Sequence, residues 1–253
     1  MNPGIYRLLL GIFGLFAIAA FGVLWVVPAP YGRFLKRRWG PVLDSRTGWL
    51  LMETPAALVF GLLFLTWQGS VQPAPLIFFF LWEAHYLQRA FVYPFLLRRN
   101  RNLPLVVVAM GFVFNLVNGT LQAGWIARMA PAGFYGTGWL TDWRFITGTA
   151  LFGMGYGINR WSDRKLRRLR SPGEKEYRIP RGGLYRHISC PNYLGEIIQW
   201  SGWALATWSP AGLAFALWTV ANLLPRAVSH HRWYRRHFPD YPPDRKALIP
   251  FIL

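Results

Sequence analysis

Two long stretches of this sequence contain no charged residue. Residues 8–27 and 103–127 are each at least as long as the helix of roughly 20 residues that crosses the hydrocarbon core of a bilayer. Apolar residues make up 53% of the chain, which also has 14 tryptophans, and this composition is unusual for a soluble domain. The sequence therefore predicts an all-α, polytopic integral membrane protein.

Five further apolar segments bring the predicted number of transmembrane helices to seven. Trp or Tyr stands near many of their ends, as is typical of side chains at the membrane–water interface. We find no internal repeat and no low-complexity linker, so we expect a single membrane domain over residues 1–253. The five segments cover residues 49–67, 71–97, 139–158, 188–208 and 211–225.

Basic residues are concentrated in every second connection between these segments. The formal net charge is +18, and the basic connections are residues 33–46, 98–101 and 160–186 and the tail from Arg226. Because basic loops stay in the cytosol, the N-terminus is predicted outside and the C-terminus in the cytosol. Binding to nucleic acid is the alternative explanation of these arginines. Topology already accounts for them, so we expect no nucleic-acid partner.

The first apolar segment lacks a strongly basic start and an Ala-x-Ala site before Pro28, so we expect a retained span and not a signal peptide. Cys190 is the only cysteine, which excludes a disulfide within one chain and argues against a cysteine-based metal site. We expect no metal and a monomer. The expected location is the inner membrane of a bacterium or the endoplasmic reticulum of a eukaryote.

Several ionisable residues lie inside the predicted spans, where a charge costs a few kcal/mol and usually has a function. Glu53 is near one end of the second span, two positions before Pro55. Its alternative role is that of a carboxylate in contact with lipid headgroups. In the third span Tyr86, Arg89 and Tyr93 recur at helical spacing. They predict a polar cavity, unless the tyrosines are interfacial and the arginine extends to the membrane surface.

A second polar set recurs every four residues at the cytosolic ends of later spans. The basic connection 160–186 lies beside this set. Together they suit a polyanionic ligand such as a dinucleotide phosphate, because arginine binds phosphate, and carboxylates or amides bind ribose and carboxamide groups. The GMGYG stretch at 153–157 has no preceding strand, so its glycines are better explained by helix packing than by a dinucleotide-binding loop. The set comprises Asn159 and Asp163, Asn192 and Glu196, and Arg226, His230 and Tyr234.

Two C-terminal stretches resemble the steroid 5α-reductases, also called 3-oxo-5α-steroid 4-dehydrogenases. They are SPGEKEYRIPRGGLYRHISCPNYLGEIIQWSGWALATWS at 171–209 and RAVSHHRWYRRHFPDYPPDRKALIPFIL at 226–253. The resemblance continues upstream through GMGYGINRWSDRKLRRLR, NGTLQAGW, HYLQRAFVYPFLLR and WLLMETP, and so covers nearly all of the chain after residue 47. The sequence departs from the family by a one-residue insertion in 98–103 and by Gln199, where human members have glutamate.

The resemblance implies a seven-helix membrane enzyme that uses NADPH to reduce the C4–C5 double bond of 3-oxo-Δ4-steroids to 5α-3-oxo-steroids. It implies a steroid pocket in residues 1–127 and an NADPH site, open to the cytosol, in residues 139–253. Glu53 and Tyr86 match the pair that engages the substrate's 3-keto oxygen, and Trp49 and Asn118 are further expected substrate residues. The expected cofactor residues are Arg101, Asn159, Asp163, Arg170, Tyr177, Asn192, Glu196, Arg226, His230 and Tyr234.

The expected chemistry follows from where charge develops. Hydride addition to C5 of a 4-en-3-one places negative charge on the C3 oxygen, so a donor at that oxygen stabilises the transition state more than the ground state. Tyr86 is the expected donor. Glu53, held away from water, favours its neutral form and could donate beside Tyr86. The proton for C4 comes either from water or from a side chain.

Three other functions fit parts of the sequence. The same scaffold could reduce another lipid enone, enal or enoyl thioester. RHISCPNYLGE also resembles an element of the isoprenylcysteine carboxyl methyltransferases, which use S-adenosylmethionine. Intramembrane acids also occur in lipid-binding and transport proteins. The loop arginines and the Glu53 and Tyr86 pair favour the reductase.

Overall fold

The computed structural model describes residues 1–30, 34, 39–67, 69, 72–97, 102–169 and 176–253. These parts are mostly helical, as predicted. One two-stranded sheet was not predicted: β1, Val42–Asp44, pairs antiparallel with β2, Asn102–Pro104. The helices are α1 Pro3–Val26, α2 Ser45–Trp67, α3 Pro73–Leu87, α4 Tyr93–Leu96, α5 Leu105–Gly124, α6 Trp143–Arg168, α7 Pro191–Thr207 and α8 Pro210–His237.

Four helices in the described parts of the chain are long and apolar enough to cross a membrane: α1, α2, α8, and α5 together with the turn that extends it to Met129. Many of their apolar side chains are on the surface, as on α1, where Leu15 is 69% exposed. Such a surface is stable against lipid, which replaces water around it. These helices indicate a multi-pass membrane protein. Four of the seven predicted spans therefore correspond to helices that are long and apolar enough to cross a membrane.

Two helices continue well beyond the predicted spans. α6 extends to Arg168 and α8 to His237, so the first part of the predicted basic connection 160–186 is helical. The prediction of a loop there was wrong because arginine and lysine are good helix formers, and a helix that leaves the membrane can continue in water. As a result, Asn159 and Asp163 lie on one continuous helix.

Glycines bring α6 and α7 into backbone contact. A Cβ on Gly155 would collide with the backbone of Gln199, and a Cβ on Gly195 would lie 2.6 Å from the amide nitrogen of Asn159. The packing role expected for the GMGYG stretch is therefore confirmed at Gly155. Because the backbones are so close, even short polar side chains on these two helices can bond to each other.

The third predicted span is a helix with one widened turn. After α3, residues Gln88–Val92 form a π-helical turn in which the Tyr93 N–H donates to the carbonyl of Gln88. Pro94 explains this turn, because a proline ring clashes with the carbonyl four residues before it and a wider turn relieves the clash. Arg89 lies within this π-helical turn.

Stacked aromatic rings join α2, α3 and α7 in the core. The Trp82 ring lies 4.8 Å from that of Phe60, 5.5 Å from that of Trp200 and 5.3 Å from that of Trp203, and its Nε1 donates to the carbonyl of Ala56 at 2.9 Å. All four aromatic side chains are fully buried. This rigid wall supports the turn of α3 that carries Tyr86.

Candidate active site

Arg89 lies at the centre of a buried polar network. Its Nε is 3.7 Å from Oε1 of Glu53 on α2, and its Nη1 is 3.8 Å from Oδ2 of Asp163 on α6. The Arg89 side chain is only 17% exposed. A charge buried at this depth is stable only when it is paired, so the two carboxylates stabilise the arginine and the arginine stabilises them.

Aromatic rings hold the Arg89 guanidinium in place. Its central carbon lies 4.5 Å from the centroid of the Trp49 ring and 4.9 Å from that of Tyr93, and those two rings are 5.5 Å apart. Cation–π contacts of this kind gain strength where water is excluded. Trp49, predicted as a substrate residue, therefore contacts the cation that pairs with Glu53.

Glu53 is bonded from two sides. Its Oε2 accepts from Nδ2 of Asn115 on α5 at 3.2 Å, while its Oε1 faces Arg89. The same Asn115 nitrogen donates to the carbonyl of Met52 at 2.8 Å. Pro55 cannot donate to the backbone carbonyl four residues before it, so the regular bonding of α2 is interrupted next to Glu53. These contacts fix the carboxyl group in one orientation.

Tyr86 is 3% exposed and lies against the aromatic wall, with its ring 4.6 Å from that of Trp82 and 5.8 Å from that of Trp200. Its hydroxyl is close enough to Glu53 to interact electrostatically, and Asn118 is beside it. The predicted catalytic pair and the predicted substrate residue Asn118 thus lie close together.

Asn118 presents a donor beside the Tyr86 hydroxyl. Its Oδ1 accepts from Gln122 at 3.1 Å, and its buried Nδ2, which makes no hydrogen bond of good geometry within the described parts of the chain, lies beside the Tyr86 hydroxyl. A buried N–H without a partner costs about 1–3 kcal/mol, so such groups usually bind a ligand or a water molecule. A carbonyl oxygen placed between Asn118 and the Tyr86 hydroxyl would satisfy it.

The predicted cofactor residues of α6 and α7 form one hydrogen-bonded set. Nδ2 of Asn159 donates to the carbonyl of Asn192 at 3.0 Å and to Oε2 of Glu196 at 3.4 Å. Nδ2 of Asn192 donates to Oδ1 of Asp163 at 3.4 Å. Since Asp163 also pairs with Arg89, this set is continuous with Glu53.

Two predicted cofactor residues of α8 contact Tyr193 of α7. Nη2 of Arg226 donates to the Tyr193 hydroxyl at 3.0 Å, and that hydroxyl is 3.1 Å from Nε2 of His230. Tyr193 directly follows Asn192 on α7. Arg226, Tyr193 and His230 thus form a second polar group, between α7 and α8.

Two of the remaining predicted cofactor residues, Tyr177 and Tyr234, lie near the end of α8, and the other two lie outside the described chain. Tyr234 is buried and stacks on Tyr241 at 5.3 Å, and Tyr177 packs against Trp233 at 4.9 Å. Burial raises the pKa of the Tyr241 hydroxyl. Arg101 and Arg170 lie outside the residues that the structure describes.

The side chains of this network fit a dinucleotide phosphate. Carboxylates and amides can bind ribose and carboxamide groups, and α6 continues past Asp163 into a turn with four basic residues. One of them, Arg167, has a buried Nη1 without a hydrogen-bond partner in the described chain, which leaves a donor for an anion. The basic side chains of this turn are Arg164, Lys165, Arg167 and Arg168.

Several residues of the network were not among the predicted site residues. Arg89 was recognised as part of a polar helix face, but its extension to the membrane surface was an open alternative. On α5, the polar residues Asn115, Asn118 and Gln122 recur at helical spacing in an otherwise apolar span, and this signal could have identified Asn115. Nothing in the sequence pattern singled out Tyr193.

Comparisons with known proteins identify the family of the chain. A family profile described as 3-oxo-5-alpha-steroid 4-dehydrogenase matches residues 101–253. Steroid 5-alpha-reductase DET2 of Gossypium hirsutum is 42% identical over 234 residues, which are 90% of each chain. The 3-oxo-5-alpha-steroid 4-dehydrogenase 1 of Bos taurus is 40% identical over 243 residues, and 3-oxo-5-alpha-steroid 4-dehydrogenase 2 of Sus scrofa is 44% identical over 239 residues; each match covers 93% of this chain and 92% of the relative. The chain therefore belongs to the 3-oxo-5-alpha-steroid 4-dehydrogenase family.

Proposed function

We propose that this chain reduces the C4–C5 double bond of a 3-oxo-Δ4-steroid to the 5α-3-oxo-steroid, with NADPH as the reductant. The observation that carries this proposal is the position of Arg89, which pairs with Glu53 on one side and with Asp163 on the other. The residues expected at the ketone and those expected at the cofactor therefore belong to one buried network. The names of the relatives support the same reaction.

We further propose seven membrane spans, with the N-terminus outside and the C-terminus in the cytosol. Four of these spans are α1, α2, α5 with its extension to Met129, and α8, which are long and apolar enough to cross a membrane. The others are α3, α6 and α7: α3 and α7 are shorter, with 15 and 17 residues, and α6 carries basic residues in its last turn. The basic end of α6 supports the cytosolic side. In this arrangement residues 1–127 form the steroid pocket, residues 139–253 hold NADPH, and one chain is sufficient.

The residues around Tyr86 perform the chemistry at the ketone. The Tyr86 hydroxyl and the Asn118 amide beside it donate to the C3 oxygen, and both bonds strengthen as that oxygen becomes negative. Glu53, oriented by Asn115 and Arg89, supports Tyr86 and holds or releases a proton beside it. The surrounding tryptophans exclude water, which increases the strength of each of these interactions.

NADPH, when bound, supplies the hydride. The role of the chain is to hold the cofactor next to the ketone-binding residues: amides and carboxylates bind its ribose and carboxamide, and cations bind its phosphates. The residues proposed for this role are Arg101, Asn159, Asp163, Arg170, Tyr177, Asn192, Glu196, Arg226, His230 and Tyr234.

Product analysis tests the proposed reaction. The purified protein in detergent is incubated with progesterone and NADPH, and the steroid products are separated and identified. A saturated 5α-3-ketosteroid is the expected product. A 3-alcohol, or turnover only of an acyclic enal or enoyl thioester, would refute the steroid reductase. A methylated lipid formed with S-adenosylmethionine would instead indicate the methyltransferase.

We expect NADPH to bind at least about 10-fold more tightly than NADH, because the 2′-phosphate adds a charge-assisted bond to arginine of about 1.5–3 kcal/mol. Titration of the purified protein with each dinucleotide measures the two dissociation constants. Arg170→Ala should narrow the difference between them, whereas Arg236→Ala, which removes an exposed cation at the end of α8, should leave it unchanged. Equal constants for NADPH and NADH in the unmodified protein would contradict the prediction.

We also expect Asn192→Ala, Glu196→Ala and His230→Ala each to weaken NADPH binding about 10-fold, since each removes a polar group from the α6–α7–α8 set. NADPH affinity is measured by titration and folding by the elution profile in detergent. Thr66→Ala, at an exposed site on α2, is the matched control and should bind normally. Wild-type affinity in all three variants would mean that the cofactor binds elsewhere.

A further inference from the structure

A groove of about 550 Å³ opens on the outer face of α6, away from the polar network. Gly157, Ile158 and Trp161 of α6 line it, together with Gly183, Leu184 and Arg186 of the short 3₁₀ turn. His187 stands at the rim. The proposed reductase site does not use this groove, because Asn159 and Asp163 point from the opposite face of α6 toward α7.

Two glycines extend the groove along the helix. A Cβ on Gly157 or on Gly153 would have nothing within 4 Å among the described residues. The two glycines are four residues apart and therefore lie on one face of α6. They leave a shallow channel, one side chain deep, that leads from the groove toward the middle of the predicted span.

The surface beside this channel is apolar. Met154 is 50% exposed, and Ile146, farther along α6 toward its N-terminal end, is 55% exposed. In a protein that crosses the membrane, such a face is in contact with lipid chains. With α6 as one of the proposed membrane spans, this channel lies in the hydrocarbon region of the bilayer.

The other end of the groove is positively charged. The uncharged part of α6 ends at Asn159, directly before the charged side chain of Arg160. Trp161 is partly exposed at this boundary, as is typical of an interfacial tryptophan, and the Lys165 ammonium lies 5.3 Å from the centroid of its ring. Arg186 is exposed on the facing loop. The groove thus joins an apolar channel to a cationic rim at the depth of the lipid headgroups.

We propose that this groove binds one phospholipid with an anionic headgroup. Its acyl chain lies in the channel over Gly153 and Gly157, and its phosphate contacts Arg186 and Lys165. A lipid with an anionic headgroup matches both ends of the groove. A free phosphate would leave the apolar channel unoccupied, and a lipid without a net charge would be less strongly attracted to the cationic rim. The proposal does not depend on the reaction that the chain catalyses.

Native mass spectrometry of the full chain in detergent tests this site. Dioleoyl phosphatidylglycerol and dioleoyl phosphatidylcholine are added separately, and the fraction of protein with one bound lipid is measured. Phosphatidylglycerol should bind more tightly. Arg186→Gln should weaken its binding about five-fold, the effect of losing about 1 kcal/mol of headgroup attraction. Gly157→Leu, which fills the channel, should weaken the binding of both lipids.

Arg236→Gln is the matched control, because it removes an exposed cation of α8 that does not line the groove. It should bind phosphatidylglycerol like the unmodified protein. Unchanged lipid binding in Arg186→Gln would overturn the proposal. Displacement of the lipid by inorganic phosphate, together with normal binding in Gly157→Leu, would also overturn it and indicate a phosphate site. Thermal unfolding in lipid-free detergent shows whether each variant is folded. If Gly157→Leu is destabilised, the lipid binding of Arg186→Gln alone tests the proposal.

Discussion

Replacement of Tyr86 by phenylalanine is expected to slow turnover of the steroid about 100-fold to 1000-fold, the usual cost of losing one donor to a developing oxyanion. The substitution removes only a hydroxyl, and the ring keeps its contacts with Trp82 and Trp200. The loss should therefore appear in the turnover rate at saturating substrate, because the bond to the C3 oxygen is strongest in the transition state. NADPH affinity should be unchanged, since Tyr86 lies outside the α6–α7–α8 set.

Tyr6→Phe is the matched control for this experiment. Tyr6 is as deeply buried as Tyr86, but its hydroxyl donates only to the carbonyl of Leu121, at 3.3 Å. The control should retain nearly full activity.

Glu53→Gln keeps the shape of the side chain but cannot carry a charge or relay a proton. Like Tyr86→Phe, it should lose most activity while binding NADPH normally. Near wild-type turnover by both Tyr86→Phe and Glu53→Gln would refute the proposed activation of the ketone.

The sequence predicted the polar pairs of the site but not which pairs face each other. The spacing of Asn159 and Asp163, and of Asn192 and Glu196, placed each pair on one helix face. Their mutual hydrogen bonds depend on the close approach of α6 and α7, and that approach depends on glycines whose partners are far away in the sequence. Helical periodicity carries no information about such a contact.

Arg89 illustrates the same limit. An arginine in a predicted span can extend to the membrane surface or pair with a buried acid, and local sequence does not distinguish the two outcomes. The structure pairs it with acids from α2 and α6. The strands β1 and β2 also escaped prediction, because three residues are too few to show an alternating pattern. The long apolar helices were predicted well because each is specified by its own residues.

Replacement of Arg89 by methionine is expected to have the broadest effect of any single substitution in the site. Methionine keeps much of the length and apolar contact of the side chain but leaves Glu53 and Asp163 without their shared cation. Breaking a buried ion pair by removing one partner typically costs about 3–5 kcal/mol. We therefore expect a clear drop in the thermal unfolding temperature in detergent, with weaker NADPH binding and almost no reductase activity.

Two further variants separate the charge of Arg89 from its packing and from its pairing with Glu53. Arg89→Lys keeps a cation but loses the planar contacts with Trp49 and Tyr93, so it should fall between the unmodified protein and Arg89→Met. The double variant Glu53→Gln with Arg89→Met removes one uncompensated carboxylate and should recover part of the lost stability, a coupling that independent sites would not show. Glu53→Gln alone should leave NADPH affinity intact, whereas Arg89→Met should weaken it through Asp163. If Arg89→Met unfolds at the wild-type temperature and binds NADPH normally, Arg89 does not connect the two halves of the site, and the observation that carries the proposed function fails.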